Sequence, residues 1–401
     1  MNLKNKTVIL GISASIAAYK MADVASALTK QGCDVHVIMT PNATKIISPL
    51  TFSTLTGNNC IVDTFDPNVN YNVAHVSLAK KADLLMIAPA SANIIGKLSN
   101  GLADDMLTTT TLACTCKKII SPAMNTHMFL NPVVQDNIQR LKTYNWEIVE
   151  PDTGVLACKD IGLGKLPKPE ILLDYIYAEI AYKKDLLGKK VLISAGPTHE
   201  AIDPVRYITN HSTGKMGYAL ARNCMLRGAD VTLVSGPVCI PEVPFVKTIS
   251  ITSAAEMFEA IQTLADQQDI IIKAAAVADY TPFKYIDHKI KKKDTELNIQ
   301  LDQTTDILGW LGAHRKSHQY LCGFSMETEN LIENSHKKLI KKNVDMIIAN
   351  NLYVEGAGFK VDTNVVTLIT KNAKIELPKL SKALVAQTIM NHILDAITSE
   401  K

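Results

Sequence analysis

Two stretches of this sequence gather small residues, hydroxyls and glycine at turns suited to holding an anion. The first, Gly11-Ile12-Ser13-Ala14-Ser15-Ile16-Ala17-Ala18-Tyr19-Lys20, follows a strand-like run at 8–10. Backbone N–H groups and serine hydroxyls at such a turn can surround a phosphate at a helix N-terminus, although small residues there also serve packing alone. The spacing is not Gly-x-Gly-x-x-Gly, so a dinucleotide is not the first expectation. The second stretch runs from Gly196-Pro197-Thr198-His199-Glu200 through Asp203, Arg206 and Asn210 to Ser212-Thr213-Gly214-Lys215-Met216-Gly217. It is long, polar and glycine-bearing before a helix, which suits phosphates and a carboxylate.

Further candidates fall at strand ends, where open α/β sheets bind ligands. They are Ala88-Pro89-Ala90-Ser91-Ala92-Asn93, Ser121-Pro122-Ala123-Met124-Asn125-Thr126-His127-Met128, and Ala274-Ala275-Ala276-Val277-Ala278-Asp279-Tyr280. The last is followed by Lys289-Ile290-Lys291-Lys292-Lys293. A lysine run is commonly a solvated face, but one placed after a strand-end turn could also fold over a triphosphate. Residues 154–164 form a glycine-punctuated segment carrying Cys158.

The elements that must position these residues are short β-branched runs at 8–10, 35–39, 84–88 and 119–121, then at 191–194, 231–235, 270–274, 321–325 and 346–350. They alternate with helix-length segments, the pattern of parallel sheets covered by helices. The halves echo each other: Gly32-Cys33-Asp34-Val35 resembles Gly228-Ala229-Asp230-Val231, and Ala82-Asp83-Leu84-Leu85 resembles Gln268-Asp269-Ile270-Ile271. The expected fold is α/β: two doubly wound, mostly parallel-sheet units rather than one large sheet. The charged turn at 182–190 separates them, giving domains at 1–188 and 189–401, and 382–397 reads as an amphipathic helix closing the second.

A length of 401 residues suits two such domains, and the 47% hydrophobic fraction lets each bury a core. The net charge of +3 balances 42 basic against 39 acidic side chains, which argues against a dedicated nucleic-acid partner. No apolar run approaches the roughly 18 residues of a membrane span, and the first residues lack the pattern of a signal peptide, so a cytoplasmic location is expected. The eight cysteines include no Cys-x-x-Cys pair. They read mostly as buried reduced thiols, with Cys114-Thr115-Cys116 in an apolar, helix-like stretch and no zinc site expected.

Across the whole first half, Pro-Ala-Met-Asn at 122–125 with Ala-Cys-x-Asp-x-Gly at 157–162 resembles the flavin-dependent cysteine decarboxylases. The resemblance implies a flavodoxin-like domain with FMN in the first turn and the Ser-Ala-Asn loop, contacted by Gly11, Ser13, Ser15, Thr40, Ser91, Ala92 and Asn93. His75, by itself a structural histidine, matches the family's active-site histidine, and Asn125 the residue holding the substrate carboxylate. Relatives often carry paired glycines where this chain has Ala14-Ser15. Cys158 is expected to be a proton donor: no second cysteine or metal-spaced histidine is near in sequence, and a thiol of pKa about 8.5 is mostly protonated at neutral pH.

The second half resembles the phosphopantothenate–cysteine ligases through Gly-Pro-Thr-x-Glu at 196–200, the Asp203–Gly217 segment and Ala-Val-Ala-Asp at 276–279. That implies a Rossmann-like domain using CTP with Mg²⁺, phosphopantothenate and cysteine. Implied CTP contacts are Ala274, Ala275, Asp279, Lys289, Asp306, Ile307, Leu308, Phe324, Lys338 and Lys342. Asn210 and Ala276 would contact the phosphopantothenoyl group, with Asn210 and Lys289 catalytic; the metal ligands stay open. Thr304-Thr305 and Ser325-Met326 depart from the pattern of relatives. The family further implies a homo-oligomer, trimeric through the flavin half and dimeric through the ligase half. Two other readings are a regulatory flavin-domain subunit and, on the α/β pattern alone, a nicotinamide-dependent reductase.

Overall fold

The protein is described by a computed structural model covering residues 3–65, 74–157, 159–291, 297–327, 330–351, 358 and 361–399. It divides into two compact units, Met1–Lys183 and Lys184–Lys401. The division lies five residues before the expected 188/189 boundary, and packing explains the difference. Leu186 is fully buried and its N–H donates to Arg227 O at 3.1 Å. Arg227 in turn holds Asp185 through two 2.8 Å bonds, from Nε and Nη2.

In the first unit, strands β1 (Thr7–Ile12), β2 (Asp34–Met39), β3 (Leu84–Ala90), β4 (Lys117–Pro122) and β5 (Glu147–Ile148) form a parallel sheet in the order β2-β1-β3-β4-β5. This is the flavodoxin-like order, with its switch point between β1 and β3. Both β1 and β3 are buried along their whole length, as parallel strands covered on two faces must be. Ile9, Leu85, Ile87 and Ile120 share one core with Leu107 and Ile138 from covering helices. Each such side chain contributes roughly 1.5–3 kcal/mol of burial. An antiparallel ribbon, β6 (Asp152–Val155) and β7 (Ile161–Lys165), follows β5.

The second unit opens with β8 (Lys190–Ala195) and a short ribbon, β9 (Glu200–Ala201) with β10 (Tyr207–Ile208). Next come β11 (Asp230–Ser235), β12 (Lys247–Ser250), β13 (Ile270–Lys273), a second ribbon of β14 (Tyr280–Pro282) with β15 (Leu301–Gln303), β16 (Tyr320–Glu327) and β17 (Met346–Asn351). After β18 (Thr363–Asn364), β19 (Val366–Thr370) and β20 (Lys374–Glu376) extend the sheet antiparallel. The main sheet reads β12-β11-β8-β13-β16-β17-β19-β20. Its six parallel strands have the dinucleotide-fold order, which puts the switch point between β8 and β13. The last helix spans Lys382–Ser399.

The sequence echo has a physical basis. Asp83, just before β3, accepts Thr7 N at 2.8 Å and pairs with Lys6 at 3.1 Å. Asp269, just before β13, accepts Lys190 N at 2.8 Å and pairs with Lys189 at 2.9 Å. In both units an aspartate thus satisfies the backbone at the start of the first strand.

One expectation changes. Cys114-Thr115-Cys116 is not helical: Cys114 caps the helix Met106–Ala113 with extended backbone (ψ 130°), and Cys116 immediately precedes β4. A side-chain hydrogen bond between Cys114 and Cys116, with Lys118 nearby, lowers the pKa of the Cys116 thiol and raises that of Cys114. No helix among the described residues is long and apolar enough to cross a membrane.

Candidate active sites

The expected flavin contacts gather at the C-terminal ends of three neighbouring strands. Gly11 lies in β1, and Ser13 and Ser15 follow it; Thr40 follows β2; Ser91, Ala92 and Asn93 follow β3. Ser13 Oγ donates to Pro89 O and accepts Ser91 N, both at 2.8 Å, tying the first turn to the third. Thr40 N donates to Ile12 O at 3.0 Å, adding the second. Ser15 caps the short helix Ile16–Lys20, and Ser91 caps Ala92–Ser99, so both helices start at this end of the sheet. Gly11 has a separate reason to lack a side chain. A Cβ there would lie 2.6 Å from Leu107 Cδ1, inside the core.

Asn125 follows β4, half-buried, and its Oδ1 accepts His127 N at 2.8 Å to start the short helix Thr126–Phe129. The β6–β7 ribbon is fixed beside it: Met124 N donates to Gly164 O at 3.0 Å. A Cβ on Gly164 (φ 134°) would come 2.3 Å from Met124 O, and one on Gly162 would come 2.3 Å from Thr126 Oγ1. Only glycine permits so close an approach. Cys158 lies outside the described residues. His75 is half-buried in the helix Ala74–Lys81, which packs on Met106–Ala113. At the C-terminal end of β4 and just beyond it, the hydroxyls of Ser121 and Thr126 are buried without partners among the described residues. Such hydroxyls fit a polar ligand at this strand end, as bound FMN would be.

The second site lies at the β8/β13 switch point. Lys273 stands opposite Ser194 in register. Beyond them, Ala275 N donates to Ser194 Oγ at 3.2 Å, Ala276 N to Gly196 O at 3.0 Å and Ala278 N to Thr198 Oγ1 at 3.0 Å. Asn210 Nδ2 donates to Ala276 O at 2.5 Å while its Oδ1 accepts Ser212 N at 3.0 Å. The helix Lys215–Leu226 begins after Gly214 (φ 77°) with no side-chain cap, leaving N–H donors for an anion.

Two adjoining cavities open here, of about 350 and 270 Å³. Asp306, Ile307, Leu308 and Lys342 line the larger; Ala274, Ala275 and Ala276 line the smaller; Asp279, Phe324 and Lys338 line both. Asp306 caps the helix Ile307–His314 through Gly309 N and pairs with Lys342. Of the expected CTP contacts only Lys289 lines neither cavity. It is exposed beside Ile290, whose N–H donates to Asp203 Oδ2 at 3.1 Å and whose O accepts from Arg206.

Lys273 was not singled out from sequence, yet it lines both cavities. Burial lowers its pKa to about 8, with Lys338 and Lys342 adding repulsion and Asp279 opposing it. The available signal was a cation ending the apolar run Ile270-Ile271-Ile272.

Comparison with known proteins places the class and then the family. Residues 1–181 match the Flavoprotein family, and residues 186–397 match the DNA/pantothenate metabolism flavoprotein C-terminal domain. The chain is 46% identical over 395 residues to the coenzyme A biosynthesis bifunctional protein CoaBC of Bacillus subtilis (strain 168), covering 98% of this chain and 97% of that one. The crystal structure of a C-terminal domain of such a protein is 41% identical, with a TM-score of 0.47, and covers 54% of this chain and 100% of its own. That of the FMN-dependent cysteine decarboxylase SpaF is 33% identical, with a TM-score of 0.37, and covers 41% of this chain and 91% of its own. The protein is thus a two-domain α/β flavoprotein enzyme. It belongs to the coenzyme A biosynthesis bifunctional proteins, which combine a decarboxylase with a ligase.

Proposed function

We propose that the second unit joins 4′-phosphopantothenate to cysteine with CTP, through an acyl-cytidylate, releasing pyrophosphate and then CMP. The first unit then decarboxylates the resulting 4′-phosphopantothenoylcysteine to 4′-phosphopantetheine with FMN. The observation that carries the ligase half is the convergence of nine of the ten expected CTP contacts on two adjoining cavities at the switch point.

The residue types there suit the chemistry. A carboxylate must approach the α-phosphate of an anionic triphosphate. Two like charges 4 Å apart repel by about 4 kcal/mol at an effective dielectric near 20. Lys273, Lys338 and Lys342 face that space and offset the repulsion, while the helix after Gly214 offers N–H donors to phosphate oxygens. Mg²⁺ enters with the nucleotide, since it is commonly held by one or two carboxylates plus phosphates, and Asp279 is the carboxylate on the wall shared by both cavities. Asn210, fixed by Ala276 O and Ser212 N, holds the acyl intermediate for attack by the cysteine amine. Lys289, outside the cavities, acts from the segment anchored by Asp203.

In the first unit, Gly11, Ser13, Ser15, Thr40 and the 91–93 loop hold FMN. When bound, FMN supplies hydride abstraction from, and return to, the substrate's thiol-bearing end. Asn125 holds the substrate carboxylate, His75 lines the reacting centre, and Cys158 gives a proton to the enethiolate carbon left by loss of carbon dioxide.

The test uses the purified full chain. Pyrophosphate release should require CTP and phosphopantothenate together, a flavin spectrum should accompany the protein, and added cysteine should yield phosphopantetheine by mass. CTP consumption indifferent to phosphopantothenate would sink the ligase reading. A colourless protein that stays inactive after FMN is added would sink the decarboxylase reading.

A further inference from the structure

The smaller of the two cavities has a far wall that the nucleotide contacts do not explain. It is built late in the chain, from Asn350 near the end of β17, Asn364 in β18 and Lys382 at the start of the last helix. Asn350 is 6% exposed, and its Oδ1 has no hydrogen-bond partner among the described residues. Its neighbours on the wall are engaged elsewhere. Asn364 Oδ1 accepts Val365 N at 3.0 Å, and the Lys382 ammonium donates to Gly358 O at 3.0 Å and also to Val361 O. A buried amide acceptor without a donor is destabilising and uncommon, and here it belongs to a residue that lines the cavity.

We infer that Asn350 is a specificity-determining residue of the ligase site, accepting a hydrogen bond from an N–H or O–H group in the middle of the acyl substrate. This rests on the ligase reading above. Asn350 lines only the smaller cavity, which it shares with the expected acyl contact Ala276 and the expected nucleotide contacts Ala274, Ala275, Asp279, Phe324 and Lys338, whereas Asp306, Ile307, Leu308 and Lys342 line only the larger. The substrate portion read by Asn350 is therefore the one lying away from Asp306, Ile307, Leu308 and Lys342, in the cavity that Ala276 also lines. A neutral acceptor cannot recognise a phosphate or carboxylate, which present acceptors at neutral pH. Phosphopantothenate carries an amide N–H and a hydroxyl between its two anionic ends, and those are the groups Asn350 can select. Lys273, on the wall between the cavities, then faces the end where carboxylate and nucleotide meet.

Asn350→Leu keeps the size of the side chain and removes the acceptor; Asn350→Ala guards against failure of the first variant to fold. Pyrophosphate release is measured against phosphopantothenate at saturating CTP, and against CTP at saturating phosphopantothenate. The expected result is a KM for phosphopantothenate raised roughly tenfold or more, with the KM for CTP within about twofold of wild type. The ligand-free Leu variant should melt no lower than wild type, because an unsatisfied acceptor has been removed; a merely structural asparagine would lower the melt and leave both KM values alone. An unchanged KM for phosphopantothenate in an active variant, or an equal rise in both KM values, overturns the inference while the ligase reading stands. Absence of CTP-dependent pyrophosphate release from the wild-type protein overturns the ligase reading and this inference with it.

Discussion

Ser13 and Ser91, 78 residues apart, are joined by a 2.8 Å hydrogen bond from the Ser91 N–H to the Ser13 hydroxyl, which itself donates to Pro89 O. One side chain thus holds together the two loops at the β1/β3 switch point. Ser13→Ala leaves the Ser91 N–H and the Pro89 carbonyl without this shared partner, at a cost of about 1–3 kcal/mol. The expected outcome is a lower melting temperature with weaker FMN retention, read by flavin fluorescence released on dilution. Wild-type FMN affinity in the variant would remove Ser13 from the proposed site.

Lys273 predicts a pH signature. Its pKa is about 8 in the folded protein against an ordinary 10.5, so between those values the unfolded chain holds a proton that the folded chain has released. Stability from this residue therefore rises with pH from about 8 to 10.5, and below 8 the folded protein bears the full cost of enclosing the cation. A drop of that size corresponds to about 3 kcal/mol, an upper bound because water reaches the amine through the cavities. Lys273→Met should accordingly stabilise the second unit at pH 7 and do so progressively less toward pH 10.5. CTP binding to the wild-type protein near pH 9 should take up a proton, seen as buffer-dependent binding heat, and the Met variant should lose that uptake.

The placement of Asp185 and Arg227 sets where the second unit can be cut. A fragment of residues 184–401 keeps their bidentate pair and buried Leu186. One of residues 188–401 leaves Arg227, whose side chain is 6% exposed, without its carboxylate. Removing one partner of a fully buried pair costs roughly 3–5 kcal/mol, and with Asp185 32% exposed the loss here is smaller than that. The longer fragment should fold and ligate without flavin, and the shorter should melt well below it; equal denaturation midpoints would contradict the pairing argument.

For Cys158 the prediction concerns product rather than binding. Cys158→Ser should still release carbon dioxide from phosphopantothenoylcysteine but yield the enethiol, since a serine hydroxyl is too weak an acid to protonate that carbon. Mass analysis of the products decides, and saturated phosphopantetheine at wild-type yield would refute the assignment.

What the sequence made legible follows from burial. The inner parallel strands β1 and β3 are buried along their whole length and appear as apolar runs, while β2 and β11 interrupt theirs with half-buried His36 and Thr232. All nine runs named from sequence fall on strands. The half-exposed β12, Lys247–Ser250, the two-residue β5 and the exposed β20 carry no such run, whereas β19, Val366–Thr370, is buried and β-branched and was missed all the same. The site divides the same way. Contiguous motifs such as Ala274–Asp279 announced themselves, whereas Lys273 and Asn350 acquire meaning only from side chains brought in from elsewhere in the sheet. Lys289 shows the converse: a motif position whose side chain lies outside both cavities.

The second site has walls drawn from residues 194–217, 273–279, 303–350 and 358–382. Synthesised from its N-terminus at roughly 5–20 residues per second, the chain has its first unit, with contacts internal to residues 1–183, ready to close about 10–40 seconds before Lys382 is added. The decarboxylase domain can thus mature on the ribosome while the ligase domain still lacks the wall bearing Asn350. Premature truncation anywhere between residues 200 and 380 would release a competent first domain joined to a ligase sheet with an open edge, a species prone to pairing with its own kind.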